Sequence, residues 1–263
     1  MPHLKQWFVT GTDTGVGKTT LCRALLAAAA ARGLRTAAMK PAESGCRRDP
    51  REGLVPADAL ALRQAASVAI DLGAICPYRF EAAVAPGVAA EELGETIDFT
   101  HIGRCRERIC EAGPDLLLIE GAGGLLVPLG AGRTIADLAR FLGAPLLVVA
   151  RDSLGTINHT LLTVEVARGR GLAVGAVVLS ACTPDTPEGL AASNAREIER
   201  GCAVPVLGRL PHVRGGEDLA SVAEHALGVG RLVGPPDVVA AEVSRETSAA
   251  PAPPGVSRET SPR

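Results

Sequence analysis

Aromatic residues are almost missing from this chain: they make up 2% of its 263 residues, with one tryptophan, one tyrosine and four phenylalanines. A core of this size must therefore be filled by Ala, Val, Leu and Ile, which suits a parallel sheet covered on both faces. Strong charge of either sign is also absent. The net charge is −2, which argues against a nucleic-acid-binding surface as the main function, because such surfaces need a cationic excess. No apolar run is long enough to span a bilayer; Leu116–Ile119 and Leu146–Ala150 have the length of strands. Paired cysteines are lacking too. The seven (Cys22, Cys46, Cys76, Cys105, Cys110, Cys182 and Cys202) are odd in number, scattered, and form no Cys-x-x-Cys pair. They are expected to be reduced, mostly buried thiols of a cytoplasmic protein. The segment before the first strand, Met1–Lys5, is short, and no signal peptide is expected.

What is present begins at Gly11. Residues Gly11-Thr-Asp-Thr-Gly-Val-Gly-Lys-Thr19 follow the apolar run Trp7-Phe8-Val9 and precede an alanine-rich helical stretch. Strand, glycine loop and helix N-terminus together form a phosphate cradle, with backbone N–H groups turned inward and the helix end adding partial positive charge. Lys18 is placed to neutralise β- and γ-phosphates, and the Thr19 hydroxyl to hold Mg²⁺. The loop is one residue longer than the usual P-loop, with five positions between Gly11 and Gly17 instead of four. That spacing sets the chain apart from common kinases and small GTPases.

Strand-like and helical patterns then alternate, predicting an α/β fold of the P-loop NTPase type, doubly wound, with a mainly parallel sheet and helices on both faces. The pattern predicts helices over residues 18–32, 57–66, 99–111, 135–141, 156–170, 188–200 and 217–227, the last being the final one. Strands are expected at 36–39, 115–120, 145–150, 174–179 and 206–210. Glu43–Pro56 reads as a polar loop, and Pro77–Val88 as irregular. The domain is expected to span residues 1–233. Residues 234–263, rich in Pro, Ala and Ser, are expected to be a disordered tail. Its hexapeptide Val-Ser-Arg-Glu-Thr-Ser occurs at Val243–Ser248 and again at Val256–Ser261. Val-Ser-Arg-Glu-Thr can be encoded by the palindrome GTTTCACGTGAAAC, which resembles bacterial chromosome-partition sites, so the repeat is read as serving the gene's DNA.

Four further features sit where ligands bind in open α/β sheets, beyond the carboxyl ends of strands. Lys40, followed by Pro41, can aim an ammonium at developing negative charge. Glu120 ends the apolar strand Leu-Leu-Leu-Ile, where an acid is costly unless paired or metal-bound. Asp58 opens a helix, and N-capping is its simplest role. Gly155 and Asn158 open another helix, and such a start suits a carboxylate ligand.

These segments resemble the dethiobiotin synthetase family, ATP-dependent ring-closing enzymes of biotin synthesis. The resemblance runs from about Gln6 to Leu219. It is carried by Val9–Thr19, Lys40-Pro41 with Ser44-Gly45, Asp58–Leu62, Cys76-Pro-Tyr78, Ile119–Gly124 with Val127-Pro-Leu129, and Gly155–His159. It implies that 7,8-diaminopelargonate reacts with CO2 to a carbamate, that ATP phosphorylates the carbamate, and that the second amine closes the ring. It also implies residue roles. Lys18 and Lys40 would bracket carbamate and γ-phosphate, with Thr14 and Ser44 hydrogen-bonding the reacting groups. Thr19, Asp58 and Glu120 would arrange Mg²⁺. Gly15, Val16, Gly17 and Thr20 would complete the phosphate site, and Ser180 with Pro211, His212 and Val213 would lie along the nucleotide. The family is dimeric with its site at the interface, so Gly155 and Asn158 would take the substrate carboxylate of the partner subunit's site. Some members carry Glu where this chain has Gly15. Where the family often places an adenine-reading Asn, this chain is read as having Leu179, which implies relaxed base choice.

A ParA- or MinD-like switch ATPase is the alternative. Such proteins place a signature lysine early in the loop, and Asp13 holds that position here. An amidotransferase of the cobyrinate diamide synthase kind would need a glutaminase domain with a nucleophilic Cys and His, which the tail, expected to be disordered, is not expected to supply.

Overall fold

The computed structural model describes residues 4–183 and 188–233. Strand β1 (Lys5–Gly11) runs through the glycine loop into α1 (Lys18–Ala31), and β2 (Thr36–Met39) follows. Next come the short strand β3 (Ala42–Glu43), a hairpin of β4 (Arg47–Asp49) and β5 (Gly53–Val55), helices α2 (Ala57–Ala65) and α3 (Leu72–Ile75), and β6 (Tyr78–Arg79), which pairs with β3. Helices α4 (Pro86–Glu92) and α5 (Phe99–Glu111) lead to β7 (Leu116–Glu120), the hairpin β8 (Pro128–Gly130) and β9 (Arg133–Thr134), and α6 (Ile135–Leu142). The remainder alternates: β10 (Leu146–Arg151), α7 (Thr156–Gly169), β11 (Val174–Ser180), α8 (Glu188–Cys202), β12 (Val206–Leu210), α9 (Leu219–Ala226) and α10 (Val229–Val233).

Six strands form one parallel sheet in the order β12-β11-β10-β1-β7-β2. β7, β10 and β11 are mainly aliphatic, with polar residues at their carboxyl ends, and are buried on both faces, as parallel strands under crossover helices must be. One face carries α1, α9 and α10 over Trp7, Val9, Leu118, Val149 and Val178. The other packs α5, α6, α7 and α8 over Phe8, Ile119, Val148, Val177 and Leu179. Helix starts follow local chemistry where a cap is present: Asp98 and Asp218 accept from backbone N–H groups of α5 and α9, and Thr134 with Asp137 forms a capping box on α6. The chain builds β2 and β7 on one side of β1 and then crosses to β10 on the other. The carboxyl end of β1, where the glycine loop starts, is therefore the crevice in which open α/β sheets bind ligands.

The expected strands and main helices are present, with ends shifted by a residue or two. Four expectations need correction. The polar segment 43–56 is not a plain loop but holds the β4–β5 hairpin. The segment 77–88 contains β6 and the start of α4, which Pro86 opens at its first turn. Helix α3 falls in a stretch with no predicted element. The helix near 217–227 is not the last, because α10 follows. The last helix matters to the core, since the Leu232 carbonyl of α10 accepts from the buried indole Nε1 of Trp7 at 3.0 Å. The Trp7 ring lies over Gly175 of β11, and a Cβ there would sit inside the indole. Gly175→Ala is expected to cost about 1–3 kcal/mol by overpacking, read as a lowered denaturation midpoint with no loss of nucleotide affinity.

All seven cysteines are free, and five are buried, as expected. Among the described residues, no helix is long and apolar enough to cross a membrane. The tail and both copies of its hexapeptide lie outside the described residues.

Candidate active site

The glycine loop, the ends of β2 and β7, and the N-terminus of α2 enclose a cavity of about 710 Å³. Thr14, Gly15, Gly17, Lys18, Thr19, Thr20, Lys40, Ser44, Asp58 and Glu120 all line it, so most of the expected site is gathered in one place. Glu43, Ala122, Gly123, Val127 and the Ala83–Pro86 segment complete the wall. Gly17 is the N-cap of α1 and takes φ +93°, a left-handed conformation that bulkier residues resist. The Lys18 ammonium donates to the Asp13 carbonyl at 2.9 Å, inside the curve of the loop. Burial lowers its pKa; Glu120 opposes that shift and Lys40 adds to it.

Lys40 and Glu120 form the electrostatic centre. The Lys40 ammonium donates to Glu120 Oε1 at 2.5 Å and to Asp58 Oδ2 at 2.8 Å, and both Lys40 and Glu120 are buried. Desolvation alone would lower the Lys40 pKa, but the charges of Glu120 and Asp58 and their hydrogen bonds outweigh it and hold it above the ordinary lysine value. A pKa raised on folding contributes stability fully below the ordinary lysine value and loses it only as pH rises through the folded one, so Lys40 stays charged across the neutral range. Burial pushes Asp58 upward, and the Lys40 charge with hydrogen bonds from Lys40 and Thr19 reverses this to a net lowering.

Asp58 is not the cap of α2. Pro56 occupies the N-cap and makes no side-chain cap, while Asp58, in the first turn, turns to Lys40 instead. The cap comes from Glu43, whose two carboxylate oxygens accept from the N–H groups of Asp58 and Ala59, each at 2.9 Å. Glu43 went unrecognised in the sequence. The signal was available: a helix opening on Pro-Ala-Asp with no side-chain acceptor at Pro56 needs one from elsewhere.

Magnesium has a donor set here. Thr19 Oγ1 donates to Glu120 Oε1 at 2.8 Å, Asp58 lies on the same ammonium, and Glu120 Oε2 is buried with no hydrogen-bond partner. A hydroxyl and two carboxylates are the hard oxygen ligands the ion prefers, and the orphaned oxygen is one it could satisfy.

Other expected residues lie apart. Val16 is buried in the core, so only its backbone can face a phosphate. Pro211, His212 and Val213 follow β12 as half-buried residues outside the cavity wall. Gly155 is the N-cap of α7, with φ +91°, and Asn158 is exposed in its first turn; neither reaches the cavity of its own chain. Leu179 cannot read a base. It is 1% exposed and packed on the sheet face opposite the glycine loop. Strand alternation turns the next residue, Ser180, to the loop side, where a Cβ on Gly17 would lie 2.5 Å from Ser180 Oγ. Relaxed base choice therefore has no basis in Leu179. Sequence reading also missed Asp152, a buried carboxylate at the end of β10 that accepts from Arg209 Nε at 2.6 Å and Asn194 Nδ2 at 2.9 Å, tying β10 to β12 and α8.

A family model described as an AAA domain matches residues 5–217. Over 208 residues the chain is 49% identical to ATP-dependent dethiobiotin synthetase BioD of Anaeromyxobacter sp. (strain Fw109-5), covering 79% of this chain and 90% of that protein. The chain belongs to the dethiobiotin synthetase family. The synthetase of Pseudomonas paraeruginosa (strain DSM 24068 / PA7) is 40% identical, over 85% of this chain and 98% of its own length. Among solved structures, the MinC:MinD cell division complex of Aquifex aeolicus aligns with a TM-score of 0.52 at 16% identity, covering 96% of this chain and 98% of the matched one. That likeness is one of P-loop fold alone. In the glycine loop, Asp13 Oδ1 accepts from the Thr14 N–H at 2.6 Å and so braces the loop from within.

Proposed function

We propose that this chain makes dethiobiotin from 7,8-diaminopelargonate, CO2 and ATP. One amine of the substrate adds to CO2 and loses a proton, giving a carbamate. A carbamate oxygen attacks the γ-phosphorus, releasing ADP and leaving a mixed carbamic–phosphoric anhydride. The second amine then attacks the carbonyl carbon, phosphate departs, and the ureido ring closes. The observation that carries this reading is the pair of buried lysines, Lys18 and Lys40, that line one cavity.

The residues divide the work by position. Lys18 and the loop N–H groups hold the phosphates, while Lys40 meets the carbamate oxygens, whose negative charge passes to the transferred group. Thr14 and Ser44 line the cavity where the reacting groups meet. Thr19, Asp58 and Glu120 would hold Mg²⁺, which when bound supplies neutralisation of phosphate charge. Closure of the ring is intramolecular, so holding the chain in place provides much of the rate. A homodimer completes the site in this reading: Gly155 and Asn158 at the start of α7 take the carboxylate of a substrate bound in the partner subunit. The fully exposed Leu154 beside them, 96% accessible, and the exposed Leu162 on α7 support a covered surface there.

The test is direct. Protein incubated with diaminopelargonate, bicarbonate, Mg²⁺ and ATP is expected to yield dethiobiotin by mass spectrometry, with ADP and phosphate in equal amounts. Folded protein that consumes ATP without product would overturn the assignment.

A further inference from the structure

Glu43 is a buried acid with no role in the chemistry above, yet it stands in the cavity wall beside Lys40. Both of its oxygens are committed to the second and third N–H groups of α2, those of Asp58 and Ala59. These are the groups a local N-cap side chain normally satisfies, and Pro56, at the N-cap, has no side-chain acceptor to offer. The backbone at Pro56 (φ −82°, ψ 102°) already has the extended form of an N-cap, so only the side chain is missing. The acceptor is supplied from β3, which carries Glu43 directly against the start of α2.

We infer that Glu43 is a positioning residue: a remote cap that fixes the first turn of α2 so that the Asp58 carboxylate meets the Lys40 ammonium. The chain of contacts is short. Glu43 holds the Asp58 N–H at 2.9 Å, and the side chain of the same residue accepts from Lys40 Nζ at 2.8 Å. β3 follows Lys40 by one residue, so Lys40 and the cap of α2 are set by the same few residues of backbone. Movement of the α2 start would pull Asp58 from Lys40 and leave the ammonium held by Glu120 alone. Burial raises the Glu43 pKa, and the two N–H donors oppose it, as they should if they are bonded to the ionised form.

This inference rests on the proposed role of Lys40, and its test separates the two. Glu43→Gln keeps the volume but turns an NH₂ donor toward an N–H donor. Glu43→Ala removes both acceptors and leaves room for a new one. In the Ala variant, Pro56→Ser places a hydroxyl at the N-cap itself. Amide hydrogen exchange in residues 57–60 is expected to speed up by about fivefold or more in either single variant and to return toward the native rate in the Glu43→Ala, Pro56→Ser pair, in line with the worth of one cap. Turnover is expected to fall about tenfold or more in the single variants, with the KM for ATP within about threefold of native, and to recover in the pair. Unchanged exchange in both single variants would overturn the cap, whatever the enzyme's activity. Faster exchange with native turnover would reduce Glu43 to a structural cap. Exchange restored in the pair without turnover would mean that Glu43 touches substrate directly. Each of the last two results overturns the positioning role. If the native protein made no dethiobiotin, the exchange arm would still decide the cap, and only the functional reading would fail.

Discussion

Replacing Lys40 with glutamine is expected to lower turnover about 10²- to 10³-fold, the usual effect of removing one preorganised charge from the place where negative charge moves in the reaction. Lys40 touches neither the glycine loop nor Lys18 in any hydrogen bond, so ADP affinity is expected to stay within about threefold of native. That split between turnover and nucleotide binding distinguishes a lysine at the reacting carbamate from a general phosphate anchor. Stability falls as well. Glu120 is 1% exposed on its side chain and loses a charged partner at 2.5 Å, the kind of broken buried pair that costs about 3–5 kcal/mol. The amide of glutamine can still donate to one carboxylate, and Asp58 is 43% exposed and reaches water, so the low end of that range is expected. Lys40→Met, which can donate nothing, should lose more stability and the same turnover. Dethiobiotin formation by Lys40→Gln at the native rate would remove Lys40 from the mechanism and leave the family assignment intact.

The large elements were legible because they leave a plain mark. Leu116–Glu120 and Leu146–Arg151 are aliphatic runs of strand length closed by polar or glycine-rich turns, and buried parallel strands look like little else. The glycine loop and Glu120 were legible for a similar reason: each places a costly residue type where only a ligand or partner repays it. The errors came from what a linear pattern cannot carry. Asp58 looked like a cap because it opens a helix, and the real cap, Glu43, is brought in by the fold from β3, earlier in the chain. Leu179 was misassigned for a subtler reason. A strand buried on both faces shows no alternation of apolar and polar residues, so nothing in Val174–Ser180 says which side chains face the loop. The packing of Leu179 with one core and of Val178 with the other supplies that parity.

Ser180 has a consequence of its own at the tightest point of the site. Gly17 combines two constraints: φ of +93°, and a Cβ position 2.5 Å from Ser180 Oγ and 3.4 Å from Ser180 Cβ. Gly17→Ala is therefore expected to weaken ATP binding about 10- to 100-fold. Left-handed backbone costs an L-residue roughly 1–2 kcal/mol, or about tenfold in affinity if the loop yields to relieve it, and the overlap with Ser180 adds to this. The two parts can be separated. Ser180→Ala removes the oxygen that the new methyl would strike and keeps a contact at an ordinary distance. Alone it sets the reference affinity for a site without that hydroxyl. Combined with Gly17→Ala, it should recover the steric part of the loss and leave the conformational part, so that the pair falls between Gly17→Ala and Ser180→Ala alone. A pair no better than Gly17→Ala would place the whole cost in the backbone and none in Ser180. Native affinity in Gly17→Ala would mean that the loop binds phosphate in a conformation other than this one. Calorimetric titration with ATP reads all three variants on the same scale, and a thermal melt beside it separates lost binding from lost fold.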